Sequence, residues 1–449
     1  MAVRMACTRV AILAVVLLTL LFVSSVYLWL RPPAESPATA IESVQEDAEE
    51  SPATEPPGKW KPYRGATADR VLSPDDQERM EELLALGYLA GSVRAPDRKG
   101  VTIHARDAVY PGFNFVVSGH GPEAFLIDMD GNVLHRWRRE FRDVWPDHGE
   151  RNWYRGDLYW RRAHLFPNGD VLAIFDDLGL IKIDRNSSLV WAYSGKAHHD
   201  LFVADDGSIY VLTHEWAMIP RVSPTDRVLE DFITVLDSQG KEIRRVSLFN
   251  SVADSAYAFW LEKVRRKGDI FHTNTIEVLD GQLEHLSEKF KAGNVLVSIH
   301  GLHAIGVVDL DAEKLVWGMT GSWKFQHQPT FLANGNLLLF DNLGTPGRSR
   351  VLEIDPSTGE TVWVYQAERP DEFFSFSCGS AQRLPNGNTL ITESDNGRAI
   401  EVTPDKKIVW EYVNPHRAGE NNELIATLFE VIRIPPHFPL DWTEGSAQD

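Results

Sequence analysis

Residues Phe325 to Asn342 read FQHQPTFLANGNLLLFDN. A polar approach carrying His327 leads to an Asn334-Gly335 turn, and the apolar run that follows ends at Asp341 and Asn342. Asn-Gly between apolar stretches is the local code for a tight hairpin, because both residues tolerate the positive φ that the turn needs. One hairpin leaves the fold open. Its recurrence along the chain does not.

The same unit returns as LFPNGDVLAIFDDLGLIKIDRNSSLVWAY (165–193), FLANGNLLLFDNLGTPGRSRVLEIDPSTGETVWVY (331–365) and RLPNGNTLITESDNGRAIEVTPDKKIVWEY (383–412). Each holds an Asn-Gly turn, two strands, a second turn and a strand with Trp. Weaker copies lie at 124–137, 203–249 and 292–319. Trp137, Trp191, Trp317, Trp363 and Trp410 index the copies, and Ser247 falls near the Trp position of the degenerate copy in the long gap. Six units of ~40–50 residues with about four strands each define an all-β fold, a six-bladed β-propeller. A single blade cannot bury both faces, whereas stacked blades can. The propeller is expected over residues 100–440, closed by strands from both ends: VTIHARDAV near its start and ATLFEVIRI near its finish.

The rest of the chain reads differently. Val10 to Leu30 is 21 residues without a charge, the length of a bilayer-crossing helix. Arg4 and Arg9 precede it and an acidic stretch follows. That polarity predicts a retained anchor over residues 1–31, a cytoplasmic N-terminus and a periplasmic or extracellular domain. A cleaved signal peptide is the rival reading. Residues 32–72, rich in Pro, Ala and Glu, predict a disordered linker. Ser73, Pro74, Asp75 and Asp76 predict the start of a short amphipathic helix over 73–91. Cys7 and Cys378 would lie on opposite sides of the membrane, so no disulfide is expected. Net charge is −19, which disfavours a nucleic-acid partner but permits a small anion held by local His and Arg. A homo-oligomer is left open.

In a propeller the residues just before each innermost strand sit at the mouth of the central channel. Counting seven back from the turn Asn or Asp gives Arg161, His199, His327 and Gly379, within one residue. His272 lies eight before Asp280, and His300 and His303 follow in the same blade. One such histidine is ordinarily a hydrogen-bonded loop residue. Recurrence at one repeat position argues for a shared site. Imidazoles there can shuttle protons or attack an electrophile near neutral pH, and cationic neighbours can hold an anionic transition state. Metal ligation is the weaker reading, because no carboxylate or second His sits at tight ligand spacing.

The segments HTNTIEVL, LVSIHGLHAIGVVDLD, QHQPTFLANGNLLLFDN with SRVLEID, and AQRLPNGNTLITE with IVWEY together resemble the bacterial arylsulfotransferases, from about residue 105 to 435. The resemblance implies a six-bladed propeller that moves a sulfuryl group between phenols through a sulfohistidine, with no nucleotide donor and no cofactor. It implies an aryl sulfate and a phenol as substrates. His272 and His327 match the family's fourth- and fifth-blade histidines. Arg348 is the candidate for the family arginine, and Arg350 matches its Ser-Arg. The last blade departs from the family: FFSFSCGSAQRL has Cys378 and no histidine where the family places its nucleophile. The expected catalytic set is therefore His272, His327, His303 and Arg348. The expected substrate-binding set is His199, His300, Arg161, Arg350 and Asn342, with no metal. The alternative is a non-catalytic propeller that binds a ligand or protein partner.

Overall fold

The Asn-Gly and Asp-Gly pairs do close the hairpins. Gly335 has φ 87° and Gly169 φ 85°. Leu332 accepts from Gly335 N at 2.8 Å and donates to the Asn336 carbonyl at 2.8 Å, which fixes the register of the strands on either side. In the computed structural model these hairpins build six antiparallel sheets, and residues 59–62, 95–148, 156–369, 372–419 and 421–443 are described.

From the innermost strand outward, blade 1 holds Leu428–Ile434, Phe113–Ser118, Glu123–Ile127 and Val133–Arg138. Blade 2 runs from Arg162–Leu165 to Leu189–Tyr193, and blade 3 from Ala197–Val203 to Glu242–Ser247. Blade 4 runs from Thr273–Val278 to Lys314–Thr320 and blade 5 from His327–Phe331 to Thr361–Tyr365. Blade 6 runs from Ser380–Arg383 to Ile408–Val413 and gains Gly100–His104 as a fifth, outermost strand. The ring therefore closes twice. The C-terminal strand Leu428–Ile434 is the innermost of the first blade, and the N-terminal strand caps the last. These are the two segments expected to close it.

Apolar residues on alternating strand positions fill the gaps between blades. Leu172, Ile174 and Leu180 of blade 2 meet Ile209, Val211 and Leu236 of blade 3. Val116 and Phe125 of blade 1 meet Leu390, Ala399 and Trp410 of blade 6. Each buried Val, Ile or Leu contributes about 1.5–3 kcal/mol.

A second repeat ties the outer edge. An Asp caps the outer turn of blades 1 to 5 and Thr403 that of blade 6: Asp184 Oδ1, for one, accepts from Asn186 N and Ser188 N at 2.8 Å. In five of the six blades the residue after the cap turns its carbonyl to a side chain of the preceding blade. Trp191 Nε1 donates to Ser238 O at 3.2 Å, Trp363 to Pro404 O at 2.9 Å and Trp410 to Met129 O at 3.0 Å. The last of these crosses the closure. Two blades differ from the reading of the tryptophans. Counted from the cap, blade 1 has His135, which donates to Arg185 O at 2.7 Å, while Trp137 bonds Gly169 O instead. In blade 3 the place belongs to Arg244, bonded to Leu310 O, and not to Ser247. A guanidinium and an imidazole reach the same carbonyl as an indole, so the latch survives where the Trp does not.

Within the stretch expected to be a disordered linker, Trp60–Pro62 forms a short strand against Leu424–Ala426. The rest of that stretch, the apolar run Val10–Leu30 and the expected helix 73–91 lie outside the described residues. Among the described residues no helix is long and apolar enough to cross a membrane.

Candidate active site

All innermost strands begin at the same end of the ring, and their first residues meet there. A small pocket, open to solvent, is lined from every blade. Blade 2 contributes Arg161 and Arg162, blade 3 His199, and blade 4 Asn274 and Thr275. Blade 5 contributes His327 and Gln328, blade 6 Cys378 and Gly379, and blade 1 Phe429. Arg161, His199, His327 and Gly379, the positions reached by counting back from the turns, all line this pocket.

The inner strands are distorted where they line the pocket. Register shifts occur between Ala197 and Leu201, Thr273 and Thr275, His327 and Thr330, and Leu428 and Glu430. His199, His272 and Gln328 take left-handed φ values of 53°, 49° and 43°. Bulges of this kind re-aim side chains, and the strain of a non-Gly left-handed residue is of order 1–3 kcal/mol. A polar belt holds the distorted segments. Arg162 pairs with Asp200 at 2.6 Å and with Glu430. Asp200 also accepts from Ile276 N at 3.0 Å, and Gln328 Nε2 donates to Glu430 at 3.1 Å. Arg162 is therefore committed to two carboxylates. Arg161 is less so: Asp176 Oδ2 stands 4.0 Å from its Nε, and its guanidinium lies over the Phe429 ring at 4.9 Å.

The histidines form a chain of ring contacts. His199 and His272 have centroids 4.7 Å apart, His272 and His300 4.8 Å, and His300 and His327 5.5 Å. Their charges differ. Burial pushes His199, His300 and His327 down, His327 to about 3, and the neighbouring cations add to this. Burial also works against a charge on His272, but Asp269 bonds its Nδ1 at 2.6 Å and raises it above the ordinary range. The His272 side chain is 40% accessible, so water tempers the burial effect and the close carboxylate decides. One imidazolium thus stands among neutral imidazoles.

His327 has a fixed tautomer. Its Nδ1 faces two acceptors, Phe325 O at 3.0 Å and Asn342 Oδ1 at 2.9 Å. Asn342 cannot turn its amide, because Nδ2 donates to Ser375 O at 2.8 Å and Cys378 O at 2.9 Å. The His327 proton therefore sits on Nδ1, and Nε2 carries a lone pair.

Four expected site residues do other work. His303 accepts from Phe325 N at 3.1 Å and packs edge-on against the Phe325 ring, so it shapes the approach to His327. Arg348 lies at the tip of the blade 5 hairpin, bonded to Ala367 O at 3.4 Å, outside the pocket. Arg350 is held by Asp341 at 2.5 Å and by Ser322 O. Asn342, buried behind His327, positions that ring and does not line the pocket. The guanidinium that does line the pocket beside Arg162 is Arg161. Blade 6 offers no side chain at the shared position because a Cβ on Gly379 would meet the Phe340 ring at 2.5 Å. Cys378, a buried free thiol, lines the wall next to it.

The count from the turns does not reach Arg162, Asn274, Thr275, Gln328 or Phe429, which also line the pocket. The His-x-Asn motif at His272 was the available signal for Asn274, and the closing strand ATLFEVIRI carried Phe429. On blade 3 the side chains of His198, His214 and Asp231 meet beside His199, one potential ligand atom of each within 4.8 Å of the others.

A closed six-bladed ring with a His- and Arg-lined pocket at one end of its axis is the class that fold and site define. The sequence profile of Arylsulfotransferase (ASST) matches residues 162–415, more than half of the chain, and the chain belongs to that family. No curated relative matches the sequence. Among solved structures, a protein of unknown function from Bacteroides caccae superposes with TM-score 0.46 at 13% identity, covering 72% of this chain and 98% of that one. A streptogramin B lyase gives TM-score 0.42 at 13% identity, with 77% and 96% covered. The virginiamycin B lyase of Staphylococcus aureus gives 0.35 at 11%, with 57% and 69% covered.

Proposed function

We propose that the protein transfers a sulfuryl group from an aryl sulfate to a phenol, with His327 as the nucleophile. The observation that carries this is the His327 tautomer: a buried, neutral imidazole whose Nε2 keeps its lone pair, in a pocket that Arg161 also lines. Attack of Nε2 on sulfur forms the N–S bond as the S–O bond to the aryl group breaks. Arg161 offers charge to the sulfuryl oxygens, on which negative charge is spread. His272, held protonated by Asp269, gives its proton to the departing phenolate. In the second half-reaction neutral His272 takes the proton of the acceptor phenol, whose oxygen attacks sulfur and releases His327. The two half-reactions are mirror images, as a shared site for two phenols requires. Family membership supports the substrate class, and the run Val10–Leu30 supports a membrane-anchored domain facing outward.

One observation favours a binding role instead: blade 6 presents Gly379 and Cys378 where the family offers its histidine. The assay that separates the readings is transfer from 4-nitrophenyl sulfate to phenol. Wild type is expected to turn over with ping-pong kinetics, and His327→Gln to lose about 10⁴-fold or more in kcat. No turnover by wild type, or unchanged turnover by the variant, overturns the proposal. Orientation is checked with reporter fusions at the C-terminus. An alkaline phosphatase fusion is expected to be active, and an inactive one overturns the outward placement.

A further inference from the structure

Blade 3 carries a second cluster that sulfuryl transfer does not use. His198 is on its innermost strand, His214 on the next and Asp231 on the third. His214 and Asp231 are direct cross-strand partners, and Ala197, just before His198, faces Thr213, just before His214. Regular antiparallel pairing would set His198 opposite Leu212, but the inner strand is irregular between Ala197 and Leu201, and there the His198 ring comes into a row with His214 and Asp231. The two imidazoles lie nearly parallel, centroids 4.6 Å apart.

The polar atoms in this row are poorly served. His198 is 2% exposed and Asp231 1%. His198 Nε2 and Asp231 Oδ1 are buried without a hydrogen-bond partner, and they lie 3.8 Å apart. An orphaned buried acceptor costs about 1–3 kcal/mol. Both groups are committed on their other side: His198 Nδ1 meets His199 Nδ1 at 2.8 Å, and Asp231 Oδ2 accepts from Thr273 N at 2.7 Å. The orphaned atoms are thus fixed and aimed at the same space. Asp177 Oδ1 is 3.5 Å from His214 Nε2 and adds a carboxylate at its edge.

We propose that His198, His214 and Asp231 bind a divalent transition-metal ion of the zinc class. Two imidazoles and one carboxylate are a ligand set such ions accept, with at least one position left for water. An ion with bonds of about 2.1 Å holds tetrahedral ligands about 3.4 Å apart, so the row closes by roughly an ångström on binding. Ligation through His198 Nε2 puts that residue's proton on Nδ1, donated to His199 Nδ1. The proton of His199 is then left on Nε2. The ion acts as a positioning device for a pocket histidine, outside the reacting atoms.

The test is Co²⁺ and Zn²⁺ titration of the chelator-treated full-length protein. Wild type is expected to bind one equivalent of Co²⁺ with ligand-field absorption, displaced by Zn²⁺, and to gain thermal stability with either ion. Asp231→Asn and His214→Gln are each expected to bind at least about 100-fold more weakly. Absence of a stoichiometric Co²⁺ spectrum in wild type overturns the proposal without recourse to any variant. So does a spectrum that survives both substitutions, or one that is lost in His327→Gln and kept in Asp231→Asn, which places the ion in the central pocket.

Discussion

His327 is neutral because it is buried, and that has a consequence for stability. The side chain is 4% exposed, and burial lowers its pKa from the ordinary 6.5 to about 3. Between those values the unfolded chain binds a proton that the folded chain refuses. Stability then rises with pH, and the contribution is lost as pH falls from about 6.5 toward 3. At pH 5 the loss from this residue is about 2 kcal/mol, since one pKa unit is about 1.4 kcal/mol. His164, lowered to about 4, and His416, lowered to about 3, act in the same direction. Denaturant midpoints at pH 7 and pH 5 are expected to show a smaller acid loss for His327→Gln than for wild type, by about 2 kcal/mol. Equal losses would show that the ring is protonated in the folded state, and the nucleophile assignment would go with it.

At the scale of the elements, what could be read was what neighbouring residues dictate. The Asn334-Gly335 pair carries its own dihedral demand, so each hairpin announced itself. Distance from such a turn is position along an inner strand, so Arg161, His199 and His327, at equal distance from their turns, line the same pocket. Register across strands carries no such signal. His214 and Asp231 are 17 positions apart, and only the pairing of two nine-residue strands sets them opposite each other. They have no tight ligand spacing in the sequence, because the pairing is made across strands. Arg348 was misplaced for a related reason. The strands Leu337–Thr345 and Arg348–Ile354 continue past Asn342, so the arginine rides out to the hairpin tip. Position 379 follows from packing, because the Phe340 ring occupies the space a side chain there would need.

For the whole molecule the question is what keeps the ring shut, since blades 1 and 6 are far apart in sequence and must meet to close it. Arg433, on the inner strand of blade 1, bonds Glu401 of blade 6 at 2.8 Å, and both side chains are fully buried. Arg433 also donates to Asn114 at 2.8 Å and to the Tyr110 carbonyl, while Glu401 accepts from Tyr110 N and Asn388. The pair therefore ties the closing strand, the first blade and the last blade in one network. Removing one partner of such a pair leaves a buried charge alone and costs about 3–5 kcal/mol, whereas removing both charges costs far less. Arg433→Met is expected to lower unfolding stability by that amount. Arg433→Met with Glu401→Gln is expected to recover at least about half, because the amide oxygen still serves Tyr110 N and no charge is stranded. The comparison is made by urea denaturation followed through tryptophan fluorescence. If the single and double variants lose the same amount, ion pairing is not what holds the closure, and the apolar contacts of Val116, Phe125 and Trp410 carry it instead.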